Sequence, residues 1–359
     1  MDLVDYAFPT SALPFTVDDN FSDRCRLALN DTDLVWSKGN DLSTSEQQLA
    51  AFLNKICEVI RNVSGVKEVR QWDASYCNNP LGGSPIQRKP DVVLLDRGFT
   101  GVPLWQNIHA VAELTTSASE HDRIIRTVTD KTYIMLSVQP NRVFVPIISA
   151  WGGNRFRLTI TDRQGQLRTK TFNIDHGIRR ADLRTLIHII TGLCFGKDTV
   201  VGYDSTMIME GGEVKAIKCG GFEFKVISQI YATQSLLGRA THVWAVEYKN
   251  RRYILKDAWI ESSRPVSEVE HLKKVAGVEG VPMLFCAEDI PGLSTGNLRL
   301  SINSDRNRER IRRRIVTSSC GSHIATFSSK RELISALRDI VVGASCNRHF
   351  ILRFLIVLL

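Results

Sequence analysis

The chain has 359 residues, of which 43% are hydrophobic and 23% charged. That balance suits a globular chain of about two domains, and no low-complexity segment or internal repeat is evident in the sequence. The formal charge of +8 admits acidic or nucleic-acid partners, although part of the excess sits in one run, RNRERIRRR (306–314). Eight cysteines without a CxxC pair argue against a zinc site and a disulfide framework, and for reduced thiols inside a cell, in cytoplasm or nucleus. The start, MDLVDYAFPTSALPF, has neither the basic residues nor the apolar run of a secretion signal. The apolar end, FILRFLIVLL (350–359), is interrupted by Arg353 and too short to cross roughly 30 Å of hydrocarbon, which takes about 20 residues. No membrane partner is expected.

In chain order, residues 1–40 show little periodicity and are expected to form an irregular arm. A mixed α/β domain is expected over 41–200. It opens on a helix in which Ser43 and Glu46 make a capping box and Leu49, Phe52, Leu53, Ile56, Val59, Ile60 and Val63 mark one buried face. The period then changes: VKEVRQWDASY (66–76), DVVLLD (91–96) and HAVAELT (109–115) read as strands. Asp122 to Val138 reads as a second helix, 142–151, 155–162 and 170–174 as a meander, and about 180–194 as a third helix. The glycine-rich stretch 201–221 is expected to be a linker. Strand character restarts in FEFKVISQIYAT (222–233) and opens a second domain, 222–343, before an apolar tail of different character, 344–359. The fold class is α+β.

The second domain carries the more telling pattern. The turn Gly238-Arg239-Ala240-Thr241-His242-Val243 compares with a phosphate loop GxGxxGxV: Gly238 holds the first glycine position, Ala240 the second, and Val243 the valine, while the third glycine is missing. Small residues in such a turn let backbone N–H groups approach phosphates. On its own the turn is equally a plain hairpin. It is followed, however, by two strands, VWAVEY and YILKDAW, in which Lys256 faces inward between Ile254 and Ala258. A capping box, Ser267 and Glu270, then starts a helix that places Glu268 on the same face as Leu272. A lone lysine on a strand is most often a solvated charge. Hairpin, lysine and capped helix in that order read as the nucleotide-binding half of a protein kinase.

The blocks GRATHVWAV, YILKDAW, RPVSEVEHL, GVPMLF and SSKRELISALRDIVVG, with AVAELTTS, QPNRVFV, TITDRQG and VVGYD upstream, resemble the fungal-type protein kinase family over roughly 88–343. The resemblance implies that Lys256 anchors ATP, that Glu268 is its helix partner, that Gly238 belongs to the phosphate loop, and that Mg²⁺ and ATP serve phosphoryl transfer to protein Ser or Thr. After RELISALRDIVVG the sequence departs from the family: it contains no HRD and no DFG, so no catalytic-loop Asp and no magnesium-holding Asp is assigned. The expectation is a kinase small lobe without its large lobe, with little or no turnover; the tail would fit a shifted reading frame. A pseudokinase scaffold that binds a protein partner is the alternative.

Two further features invite a function. KPDVVLLD and AELT place Asp91 and Glu113 as in the PD-(D/E)xK nucleases, where paired carboxylates hold magnesium and a lysine steadies the attacking water. Here the lysine position is Thr115, so a nuclease-like fold without chemistry is the expectation, with an ordinary hairpin and a buried polar Glu as the bland reading. The arginine run reads as a solvated loop or, failing that, a nuclear address or nucleic-acid patch. His109, His121, His176, His188 and His242 show no metal spacing, and Asp130, Tyr133 and Arg142 read as packing and turn residues.

Overall fold

The computed structural model describes residues 3–29, 45–115, 122–174, 179–264, 267–278, 281–299, 309–318 and 327–345. Helices α1 (Leu3–Ala7), α2 (Asp19–Ala28) and α3 (Ser45–Ser64) precede the strands β1 (Arg70–Asp73), β2 (Val92–Asp96) and β3 (Ala110–Thr115). After α4 (Asp122–Val138) come β4 (Phe144–Trp151), β5 (Arg155–Asp162), β6 (Gly165–Arg168), β7 (Phe172–Asn173) and α5 (Arg180–Phe195). The seven strands form one sheet in the order β1-β2-β3-β4-β5-β6, with β7 on β5. Every pair is antiparallel except β3 with β4, which α4 connects as a crossover.

Both faces of this sheet are covered, which is why VVLL in β2 is apolar without alternation. Val92 and Leu94 pack with α3 and α5, whereas Val93 and Leu95 pack with Val128 and Met135 of α4. Within the expected irregular arm, 3–29 hold two helices, and the rest of 1–40 lies outside the described residues. Leu3, Val4, Ala7 and Phe8 bury one side of α1, and Phe21 and Cys25 one side of α2, a period too short-lived to stand out in so brief a stretch. Asp18 caps α2 by accepting the Phe21 N–H at 2.7 Å. Gly192 of α5 leaves the space that Phe8 fills, since a Cβ there would meet Phe8 Cδ1 at 2.1 Å. Ser43, half of the expected capping box, lies outside the described residues, as do residues 346–359 of the tail.

The second sheet takes in the expected linker. β8 (Met207–Glu210) and β9 (Glu213–Cys219) are joined by Gly211-Gly212, both at positive φ, so the glycines make a tight hairpin turn rather than a flexible connection. β10 (Phe222–Ala232), β11 (His242–Tyr248) and β12 (Arg251–Glu261) follow, then α6 (Glu268–Lys274), β13 (Leu284–Ser294), β14 (Arg310–Thr317) and α7 (Lys330–Ser345). The order is β13-β14-β12-β11-β10-β9-β8, antiparallel throughout. Phe222, Phe224, Tyr248, Tyr253 and Phe285 form an aromatic cluster across it.

Residues 306–308 of the arginine run lie outside the described residues, and the remainder is not a solvated loop. The second half of the run lies in β14, and Arg312 and Arg314 point to the buried side of the sheet with exposures of 3% and 0%. Arg314 Nη2 donates to Asp204 Oδ2 at 2.6 Å and Arg312 Nη2 to Asp257 Oδ2 at 2.7 Å. Arg310 pairs with Glu261 and Arg313 with Asp289. The alternation of β14 sorts the arginines between two faces, and the inward ones are admitted because carboxylates meet them.

That buried face rests on the first domain. Arg312 donates to Pro140 O at 2.8 Å, Arg299 Nη2 to Asp162 Oδ1 at 2.9 Å, and Thr295 Oγ1 to Gln164 Oε1 at 2.6 Å. Arg163 reaches both ways: to Leu136 O at 3.0 Å in the last turn of α4, and to Ser235 O at 2.8 Å in the turn between β10 and β11.

Candidate functional site

Lys256 lies on the open face of the second sheet. In β12, Leu255, Asp257 and Trp259 are buried against the first domain and its neighbours, so strand alternation turns Lys256, Ala258 and Ile260 the other way. Its register partners Val243 on β11 and Ile315 on β14 share that face. α6 packs over it. Ser267 caps α6 by accepting the Glu270 N–H at 3.2 Å, and Glu270 in return accepts the Ser267 N–H at 2.7 Å. Leu272, buried at 3%, anchors the helix and sets its rotation. Glu268, in the first turn, is thereby delivered to Lys256: the ammonium lies 2.8 Å from both carboxylate oxygens. A cavity of about 270 Å³ opens beside the pair, lined among others by Arg239, Ala258, Glu261, Arg264, Ile311 and Arg313.

The glycine-bearing turn is placed differently from Lys256. Gly238 has φ +102° and its N–H donates to Arg163 O of the first domain at 3.3 Å. Ala240 has φ +40°, is 3% exposed, and packs with Trp259 into the first domain's core. The Trp259 N–H donates to Arg239 O at 2.7 Å. The turn is thus closed onto β12 and the first domain, and only Arg239 of its first three residues lines the cavity.

Behind Lys256, the opposite face holds a charge network. Asp204 lies 3.1 Å from Arg312 Nη1 as well as 2.6 Å from Arg314. Burial alone would raise the Asp257 carboxyl, but the Arg312 and Arg314 guanidiniums hold it down to about 2. His242 stacks on Trp244 and its Nδ1 lies 3.0 Å from Gln229 Nε2. Burial pushes this imidazole down to about 4, with Asp257 opposing and Arg312 and Arg163 adding to the shift.

The nuclease-like pair of carboxylates does come together. Asp91 Oδ2 accepts the Leu114 N–H at 2.8 Å, next to Glu113 in β3. Glu113, 1% exposed, accepts from Lys131 Nζ of α4 at 2.8 Å. Burial pushes the Glu113 carboxyl up to about 8, Asp91 pushes the same way, and Lys131 opposes both. The lysine beside Glu113 arrives from a helix rather than from two residues along the strand, where Thr115 stands. Spacing in the strand could not reveal it. A signal did exist: Ile124, Val128 and Met135 form the buried stripe of α4, and Lys131 falls on it at i+7 from Ile124. A cation on an apolar stripe calls for a buried carboxylate.

His188 Nε2 lies 2.9 Å from Phe8 O and His109 Nε2 2.9 Å from Asp96 Oδ1, while His121 and His176 lie outside the described residues. Arg142 is a buried hub, bonded to Gln139, Ile108 O, His109 O and the Tyr203 hydroxyl. Among the described residues no three His, Cys, Asp or Glu side chains converge as metal ligands, and no helix is long and apolar enough to cross a membrane.

No curated protein matches the chain. The sequence profile of the family described as fungal protein kinase matches residues 89–346, well over half of the length. That range contains the Lys256–Glu268 pair, the docked turn and the Arg/Asp network behind them. On this evidence the chain belongs to the fungal protein kinase family.

Proposed function

We propose that the second domain is a kinase-like nucleotide-binding lobe. The observation that carries this is Lys256 held by both oxygens of Glu268 beside a cavity of about 270 Å³. An inward lysine oriented by a helix glutamate is the device with which protein kinases fix the phosphates of ATP, and both must be in place. Magnesium would come with the nucleotide; the carboxylates that line the cavity are Glu261, Glu268 and Glu270, and among the described residues no three His, Cys, Asp or Glu side chains converge as metal ligands. The 359 residues contain neither HRD nor DFG, so the reading assigns them nucleotide binding, and a scaffold role toward a protein partner, rather than turnover on Ser or Thr. The test is calorimetric titration with Mg-ATP. Saturable binding lost in Lys256→Met supports the reading; binding that is the same in Lys256→Met sinks it. Phosphate incorporation into protein, abolished by the same substitution, would overturn the assignment of binding without turnover.

A second reading concerns the first domain. The cluster of Asp91 just before β2, Glu113 of β3 and Lys131 of α4 favours a nuclease-like site, because it supplies the lysine that the strand lacks. Two carboxylates can take a divalent cation, and the ammonium can hold an attacking water. Plasmid DNA incubated with Mg²⁺ or Mn²⁺ tests it: cleavage must appear and must vanish in both Glu113→Ala and Lys131→Met.

A further inference from the structure

The cavity beside Lys256 has an imbalance of committed charge. Each of its carboxylates is engaged: Glu268 with Lys256, Glu270 with the Ser267 N–H, Glu261 with Arg310. Of its cations, Lys256 is held by Glu268 and Arg313 by Asp289. The guanidiniums of Arg239 and Arg264 have no hydrogen-bond or ion-pair partner among the described residues, although both line the cavity.

The backbone of the turn meanwhile has little to offer an anion. The Gly238 N–H is spent on Arg163 O, and Ala240 is buried under Trp259. A phosphate cradle made of backbone N–H groups needs them free and facing the ligand. What the turn presents instead is one side chain on a pinned base: Arg239 has its carbonyl fixed by the Trp259 N–H at 2.7 Å and is followed by a buried residue. Arg264 stands beyond the end of β12, on the same cavity. A guanidinium is the side chain best shaped to take two oxygens of a phosphate at once.

We propose that Arg239 and Arg264 hold the outer phosphates of a nucleoside triphosphate whose inner phosphates meet Lys256, so that side chains replace the missing glycine cradle. The assignment rests on the nucleotide site proposed above and adds to it two residues and a preference: polyphosphates over monophosphates.

The experiment is titration of the full chain with ATP, AMP and inorganic tripolyphosphate, repeated on Arg239→Gln and Arg264→Gln, with thermal melts to confirm folding. Arg264 is exposed and its guanidinium has no hydrogen-bond or ion-pair partner among the described residues, so its variant keeps the test valid if Arg239→Gln folds poorly. A loss of about tenfold in ATP and tripolyphosphate affinity, with AMP little changed, is expected for each charged hydrogen-bonding group removed. ATP and tripolyphosphate affinities equal to those of the parent chain overturn the arginine assignment, and Lys256→Met then decides whether the nucleotide site stands. Arginine-dependent tripolyphosphate binding to which adenosine adds nothing keeps the anion site and removes the nucleotide reading. Binding of neither ATP nor tripolyphosphate to the parent chain removes both.

Discussion

Lys256 and Glu268 depend on each other unequally. The lysine side chain is 14% exposed and the glutamate 30%, so each is partly screened and the pair contributes modestly to folding. Its value is geometric. Glu268→Gln keeps the helix and its cap but replaces a charged acceptor with a neutral one, leaving the ammonium free to swing. We predict a loss of about tenfold in ATP affinity with a melting temperature near the parent's; an equal loss of affinity and stability would mean the residue only supports α6. The Lys256–Glu268 pairing was legible in the sequence, because strand alternation aims Lys256 and the Ser267–Glu270 box fixes where α6 begins. For Lys131 the sequence offers only a cation on an apolar stripe and does not name its partner, since Glu113 is 18 residues away on another element. Lys131→Met tests the buried pair. Glu113 already has its carboxyl raised from an ordinary 4.5 to about 8. Such a group stabilises the fold fully below its unfolded value and loses that contribution as pH rises through the folded one. Without Lys131 the folded value rises further. Denaturant unfolding should therefore show Lys131→Met costing about 3 kcal/mol or more at alkaline pH and distinctly less near pH 5; a cost independent of pH would point to lost packing instead.

At the scale of elements, β14 is where sequence reasoning went furthest from the fold. Nine residues with six arginines carry no apolar alternation, and hydropathy alone treats every arginine as outward. The alternation is present in charge satisfaction: Arg312 and Arg314 meet Asp204 and Asp257, and those acids lie on strands and turns far apart in sequence. β8 and β9 escaped for a related reason, as paired glycines look the same in a linker and in a hairpin. Arg314→Met leaves two buried carboxylates facing the single guanidinium of Arg312, and should cost about 3–5 kcal/mol in denaturant unfolding. Adding Asp204→Asn should restore much of it; an unrecovered double variant would show that charge balance is not what the strand requires. Acid tests the same face in two stages. His242 is held at about 4 against an ordinary 6.5, so its contribution, present above 6.5, is lost as pH falls through 4. Asp257, at about 2 against 3.8, contributes above 3.8 and loses that as pH falls through 2. The first stage is worth roughly 3 kcal/mol and should be missing in His242→Gln; the same acid profile in that variant would exclude the imidazole as its source.

Across the whole molecule, the two sheets are tied by arginines that belong to one and reach into the other, and this linkage runs next to the cavity beside Lys256. Arg163, on the turn after β5, gives one nitrogen to Leu136 O, an end carbonyl of α4, and another to Ser235 O and Leu236 O, while its own carbonyl accepts the Gly238 N–H. The turn that carries Arg239 is therefore shaped by the first domain as much as by its own strands. Arg163 is buried, so burial pushes its guanidinium down to about 10, still charged at neutral pH. Arg163→Met removes the donors and leaves three carbonyls without them. It should cost about 2 kcal/mol in stability and increase amide hydrogen exchange across 233–241, while the centre of β12 stays protected. ATP affinity should fall with it even though Arg163 does not line the cavity, because the base that positions Arg239 is loosened. Exchange in 233–241 that stays at the parent rate would show that the turn is held by β10 and β11 alone. The first domain would then be a neighbour of the proposed nucleotide site rather than a part of its construction.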